Sequence, residues 1–314
     1  MAIQSQYGKA FEYACLSSLN NILKENQTIL VQNSSALNFA HASYNVINVE
    51  IQDKMTKAAT AAARVITRLE PYLEHPNGHE PLVLSIQADA AGMAGDVRDV
   101  IAIRQHGWKI GISCKHNHNA VKHPRISMKI DFGKLWFGKP CSREYFNEIA
   151  PIFIRLDELR KQGTKWSDIK NKVEEIYVPI LTAFMRELKR LDLAYPDCIP
   201  SSFVSYLLGV NDFYKVIAID HLQVTQIQAI NLYGTLNQQS GKNKSLVRIP
   251  QLSLPTQFYH IDFLRETTIE VACDHGWTIS LRLHSASTNV EPSLKFDVNL
   301  TGVPPTLYSQ MEPW

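Results

Sequence analysis

The chain has 314 residues, 45% hydrophobic and 20% charged, an ordinary globular composition with ample core for one large domain or two smaller ones. Lys+Arg number 32 against Asp+Glu 30, so a net charge of +2 excludes a uniformly basic or acidic chain. It leaves open a basic cleft behind acidic outer faces, where distribution matters more than the sum. The five cysteines, Cys15, Cys114, Cys141, Cys198 and Cys273, are scattered and form no CxxC. That argues against a disulfide framework or zinc ribbon and suits a reducing cytoplasm. Residues 1–10 are polar and lack the apolar core of a signal peptide. No run approaches the roughly 20 apolar residues of a membrane span. A cytoplasmic protein with no membrane partner is expected.

In chain order, residues 8–23 place Phe11, Ala14, Cys15, Leu19, Ile22 and Leu23 at helical spacing. Glu12 falls in the first turn of that expected helix, either as an acid favoured by the helix dipole or as a carboxylate aimed at a site. Residues 36–47 and 51–72 read as two more helices, the second rich in alanine and stopping near Pro71. Residues 75–79 form a turn, 82–87 a short buried strand, and 89–95 a loop of small residues. Residues 142–193 read as two long helices split near Gly163 and Thr164, and 200–208 as a short helix. From Phe213 onward the pattern turns to strands: 214–220, 247–254, 268–274, 277–287 and 294–302, with an exposed polar loop at 238–244. One domain spanning 1–314 is expected, with a catalytic core in 1–130, a helical part in 131–209 and a strand-rich recognition part in 210–314.

The organising stretch is the pair of short strands 97–104 and 108–114, joined by Gln105, His106 and Gly107. Asp96 and Asp99 open the first strand, and Ser113, Cys114 and Lys115 close the second. A hairpin then sets a carboxylate beside an ammonium on a rigid platform. Phosphodiester hydrolysis wants such a pair: carboxylates to hold magnesium, and a lysine to position water or meet developing charge. Asp99 immediately precedes the apolar run 100–103 and is the first choice of ligand, with Asp96 second. Ser113 and Lys115 are two apart and share a face. The competing reading is a surface hairpin with charged ends. The wet segment that follows, His116, Asn117, His118, Asn119, Lys122, His123 and Arg125, favours contact with phosphates and base edges. A solvated loop is its alternative. A zinc site of His116, His118 and His123 ranks lower, since no cysteine pair or HExxH accompanies it.

Asp99, the hairpin and Ser113-Cys114-Lys115 resemble the PD-(D/E)xK nuclease superfamily, and Gly8 with Glu12 resembles the helical glutamate of many members. More specifically, GKAFEYA, GDVRDVIAI, WKIGISCKHNHNAVKHPRIS, LLGVNDFYKVIAI and the C-terminal GWTISLRLHSAST and PSLKFDVNL resemble the HaeIII-type type II restriction endonucleases, over about residues 8 to 303. The resemblance implies a mixed α/β core flanked by helices and Mg2+-dependent cleavage of double-stranded DNA at GGCC, leaving a 5′-phosphate. It implies Asp99 as metal ligand, Lys115 as catalytic lysine and Glu12 as accessory acid. The chain departs from the superfamily at Ser113, where Asp or Glu is usual. The second carboxylate then has to come from Glu12, Asp96 or Asp131.

A GGCC reader needs donors for guanine N7 and O6. Arg282, His284 and Lys295 in the strand-rich region are candidates, with Ser285 and Ser287 beside them, and Lys122 and Arg125 are their rivals. The competing reading is a strand edge guarded by charge. A palindromic target implies a two-fold homodimer, the alternative being a monomer that nicks each strand in turn. Rival functions are a repair or structure-specific nuclease, and a DNA-binding protein whose nuclease site has decayed.

Overall fold

The computed structural model describes residues 3–75, 80–88, 95–104 and 107–314. The expectations at residues 76–79, 89–94 and 105–106 lie outside them. The chain is mixed α/β, as expected, and divides into two compact units. The first takes Met1–Asn119, Gly209–Leu252 and Thr306–Trp314; the second takes Ala120–Leu208 and Ser253–Pro305.

In the first unit, α1 (Ile3–Leu23) buries Phe11, Ala14, Cys15, Leu19 and Leu23 along one stripe. It begins five residues earlier than the sequence suggested, so Glu12 lies well inside it. The dipole of the first turn therefore does not account for this acid. Ser34 caps α2 (Ser35–Asn45) and Asn48 caps α3 (Val49–Leu69), each accepting a backbone N–H. Ala58, Ala59, Ala62 and Ala63 are buried along α3, small side chains that let it lie close on a sheet. It ends at Glu70, whose extended backbone is what a residue before proline favours, and α4 (Pro71–Glu74) follows.

The seven-stranded sheet beneath comprises β1 (Ile29–Val31), β2 (Leu82–Ile86), β3 (Val100–Ile103), β4 (Lys109–His116), β6 (Phe213–Ile219), β7 (Val224–Ile230) and β12 (Ser309–Pro313), in that order. The β2–β3–β4 and β6–β7–β12 pairings are antiparallel, while β1–β2 and β4–β6 are parallel. The expected hairpin forms, but its first strand is shorter than 97–104. Asp96 and Arg98 are tied to each other instead of to a ladder, through Nε–Oδ1 2.7 Å and a 2.6 Å ion pair. Gly111 of β4 makes room for this: a Cβ there would sit 2.0 Å from Arg98 Cδ. Alternate residues Ile112, Cys114, Tyr214, Val216 and Ala218 join the hydrophobic core with α1 and α3.

The second unit is built on an antiparallel sheet ordered β5 (Arg125–Ile126), β11 (Leu294–Gly302), β10 (Thr278–His284), β9 (Thr268–Cys273) and β8 (Phe258–Arg265). Leu281, Leu283, Phe296 and Val298 bury one face. The helices of this unit are α5 (Phe132–Phe137), α6 (Arg143–Lys161), α7 (Val178–Ala194) and α8 (Ile199–Leu208). Phe132 packs on Phe184 at 4.6 Å, and Phe184 on Phe296 at 5.1 Å. The two expected long helices are separated as read: Gly163 turns at φ +72, and a π-helical turn at Val173–Tyr177 leads into α7. The strand expected at 247–254 does not form. Pro250 cannot donate to a ladder, and the segment instead meets Asn231, whose amide donates to the Ile249 and Pro250 carbonyls. Among the described residues, no helix is long and apolar enough to cross a membrane.

Candidate active site

The ladder between β3 and β4 ends at Val100 and Ile112. Just past it, Asp99 keeps its backbone in register, its N–H donating to Ile112 O at 2.8 Å, while its side chain turns onto β4. Asp99 Oδ2 accepts the Cys114 backbone N–H at 2.7 Å and, at a longer 3.4 Å, the Ser113 hydroxyl. Lys115 Nζ stands 3.6 Å from the same oxygen. Both side chains are 23% exposed, so the pair is open to a ligand while its base is held by backbone.

Glu12 approaches from α1. Its residue is 6% exposed, and Lys9 Nζ lies 3.0 Å from Oε1. Burial first, and then the charge of Asp99, push its carboxyl up to about 8; Lys9 and Lys115 work against that rise. Asp99, Lys115 and Glu12 are therefore brought together, with Ser113 among them. Asp96 is not: both its oxygens are engaged by Arg98. Asp131, in the second unit, caps α5 by accepting the Lys134 and Cys141 N–H groups.

Directly after Lys115 the chain is pinned to β6. His116 Nε2 lies 3.0 Å from Asp220 Oδ2 with its ring against Tyr7 and Phe11. Asn117, at φ +52, donates to the same carboxylate and accepts the Asp220 N–H. Lys215 is 1% exposed, and its amine donates to the Asn119 carbonyl at 2.5 Å and to Oδ1 at 2.7 Å. Burial, then the nearby charge of Lys115, lower it to about 7. Asp220 and Lys215 were not singled out from sequence; both sit on an apolar run that reads as plain strand, and only the pairing of β6 with β4 makes them part of the site.

Of the remaining expected DNA contacts, all but His118 belong to the second unit. Registered pairs Arg125↔Lys295, Lys295↔His284 and Asp297↔Arg282 put these side chains on the polar face of its sheet, opposite the buried one. Several are engaged within the unit. Arg282 and His123 approach Asp297 at 3.3 and 3.4 Å, and Arg125 meets Glu291 at 2.9 Å. Lys122 lies over the Tyr206 ring at 3.6 Å, and burial lowers it to about 8. His284 shares its Nδ1 hydrogen with the Ser285 carbonyl, and burial lowers its pKa. His118, in the first unit, is exposed.

The model of the HaeIII restriction endonuclease family matches residues 8–304. The chain is also 44% identical over 310 residues to the Type II restriction enzyme HaeIII of Haemophilus aegyptius, covering 98% of this chain and 97% of that protein. The chain belongs to the HaeIII restriction endonuclease family. It is a site-specific deoxyribonuclease acting on double-stranded DNA. No solved structure matches the chain. Type II restriction endonucleases generally need a divalent metal, and the donors around Asp99 suit one. They are hard oxygens, and Glu12 is a buried carboxylate whose charge is disfavoured by a second carboxylate nearby. A divalent cation is what removes that conflict.

Proposed function

We propose that this restriction endonuclease cleaves double-stranded DNA at GGCC in a Mg2+-dependent reaction, with Asp99 and Glu12 holding the metal and Lys115 as the catalytic lysine. The observation that carries this reading is the Asp99–Lys115 pair at 3.6 Å at the open end of β3 and β4. The motifs shared with the family support the target sequence. Bound magnesium would supply charge neutralisation at the phosphoryl group and a more acidic water. Asp99 is aimed before any substrate arrives, because the Cys114 N–H fixes its carboxylate. Lys115 presents ammonium hydrogens beside it, placed to donate to a phosphoryl oxygen as charge grows there. Water attacks phosphorus in line and the P–O3′ bond breaks. The water gives up a proton and the 3′ oxygen gains one, leaving a 5′-phosphate and a 3′-hydroxyl.

Ser113 cannot ligate as the usual acid would. Its hydroxyl instead donates to Asp99, which leaves the second carboxylate to Glu12. His116, Asn117, His118, Lys122, His123, Arg125, Arg282, His284 and Lys295 are the proposed DNA contacts. The polar sheet face, with its arginines and lysine, has the chemistry of a groove reader. A two-fold palindrome calls for a homodimer, working in the cytoplasm. The test is plasmid DNA of known sequence incubated with Mg2+ and with EDTA. Discrete Mg2+-dependent fragments ending at GGCC support the reading; a smear rejects the specificity, and binding without cleavage rejects the mechanism.

A further inference from the structure

We infer that the cleft beside Lys115, floored by Ile217 and Ile219 and rimmed by Asn119, His221 and Gln226, takes one nucleobase next to the scissile phosphate and reads its edge. The inference rests on the reading of Lys115 as the catalytic lysine.

Position is the first argument. Lys115 pairs with Ile217 across the parallel β4–β6 junction, and Ile217 pairs with Gln226 across β6–β7. Directly paired residues share a sheet face. Neighbouring strands lie roughly 4.8 Å apart, so the floor begins one strand away from the lysine. Successive nucleotides along a DNA strand are spaced by roughly 3.4 Å. A phosphate held at Lys115 therefore brings its neighbouring nucleoside over Ile217.

Chemistry is the second. Ile217 and Ile219 offer an apolar floor to the flat face of a base. No lysine or arginine lines the cleft among the described residues, so its rim lacks the charge that grips phosphate. Its one carboxylate among those residues, Asp220, is engaged by His116 and Asn117, and two amides on the rim have assigned directions. Asn119 Oδ1 accepts from Lys215, which leaves the Asn119 NH2 as a donor. Gln226 Nε2 donates to Ser309 Oγ at 3.1 Å, which leaves Gln226 Oε1 as an acceptor. Donor and acceptor together match the minor-groove edge of a guanine in GGCC, which carries the N3 acceptor and the N2–H2 donor.

Rigidity is the third. Asn117 is locked to Asp220 from both ends of its amide and to Ala218 through its backbone N–H at 2.9 Å. Lys215 holds Asn119 twice. The buried lysine and the left-handed asparagine thereby acquire a purpose: they preorganise the rim, which spares ordering cost on binding.

The test is a cycle between protein and DNA on the full chain. Wild type, Gln226→Ala and His221→Ala are compared on an intact cognate duplex and on duplexes with one abasic site on either side of the cleaved bond. Single-turnover cleavage is read with Mg2+, and thermal melting checks folding. On intact DNA, Gln226→Ala should lose roughly tenfold in cleavage efficiency, the low end for a lost base contact. On the duplex lacking the base that occupies the cleft, wild type and Gln226→Ala should cleave alike, because the partner is already gone. Equal loss at every abasic position, or no loss on intact DNA for either variant, overturns the inference. If Lys115→Ala cleaves intact DNA at the wild-type rate, the reading of the catalytic centre fails, and the inference with it. That result is distinct from normal dependence on Lys115 with no dependence on Gln226.

Discussion

Replacing Glu70 by glutamine should remove a specific part of the pH dependence of stability. Glu70 is fully buried where α3 ends. Its Oε1 accepts the Tyr214 hydroxyl at 2.7 Å and the Asn237 N–H at 2.6 Å, while Oε2 is buried with no partner. Burial outweighs both hydrogen bonds and raises the carboxyl from 4.5 to about 7. Between those values the folded protein keeps a proton that the unfolded chain has released. Stability therefore falls as pH rises through this window and levels off above it. The interval of about 2.5 units corresponds to about 3 kcal/mol. Glutamine copies the protonated acid and cannot ionise. Glu70→Gln should thus match wild type near pH 4.5 and exceed it by about 3 kcal/mol at pH 8 and above. Urea unfolding across this range reads the difference directly. A wild-type-minus-variant gap that stays constant with pH refutes the argument, since it leaves Glu70 ionised throughout.

Lys115→Ala should bind the cognate duplex within a few-fold of wild type in EDTA, yet lose at least about 100-fold in cleavage rate, a typical cost for removing a charge-stabilising group; full activity removes the proposed mechanism. Gly111→Ala drives a methyl into Arg98 and should destabilise by about 2 kcal/mol. The double variant Gly111→Ala/Arg98→Ala should show clear non-additivity in chemical denaturation, and simple additivity would mean that the two sites do not touch. Arg282→Ala should relax sequence preference at one base pair by about 1–3 kcal/mol if it reads a base. If it contacts phosphate instead, binding to every sequence weakens alike and the salt slope drops by about 1; titrations at several salt concentrations separate these outcomes.

What could be read from sequence divides along the range of the interactions involved. Asp99 and Lys115 are joined by a short hairpin, so local pattern suffices to place them side by side. Glu12 was legible in part. Its spacing to Cys15 and Leu19 puts it on the buried stripe of α1, which is a stronger signal than its supposed place in the first turn. The second strand of the C-terminal hairpin in the first unit, β7, escaped notice because Thr225, Gln226 and Gln228 dilute its alternation. Two of those polar groups find partners far away in sequence: Thr225 donates to the Ala58 carbonyl of α3 at 2.9 Å, and Gln226 to the Ser309 hydroxyl at 3.1 Å. The false strand at 247–254 is the mirror case, where apolar composition outweighed a proline that no central ladder accepts.

The same logic explains why the rim beyond Lys115 could be suspected but not built. Histidine and asparagine in a polar run have no direction of their own. Asp220 and Lys215 supply it from about a hundred residues away, |i−j| being 103 for Asn117–Asp220 and 96 for Asn119–Lys215. A buried lysine is costly unless its hydrogens are used, and Lys215 spends two of them on one asparagine. A residue that merely filled space at that register position would be apolar, as Val216 and Ile217 beside it are. The lysine is therefore best understood through what it holds. Lys215→Met, which keeps length and removes the donors, separates the two roles: if Lys215 only fills space, cleavage survives with stability intact, whereas if it orients Asn119, cleavage falls while the melting temperature holds or rises.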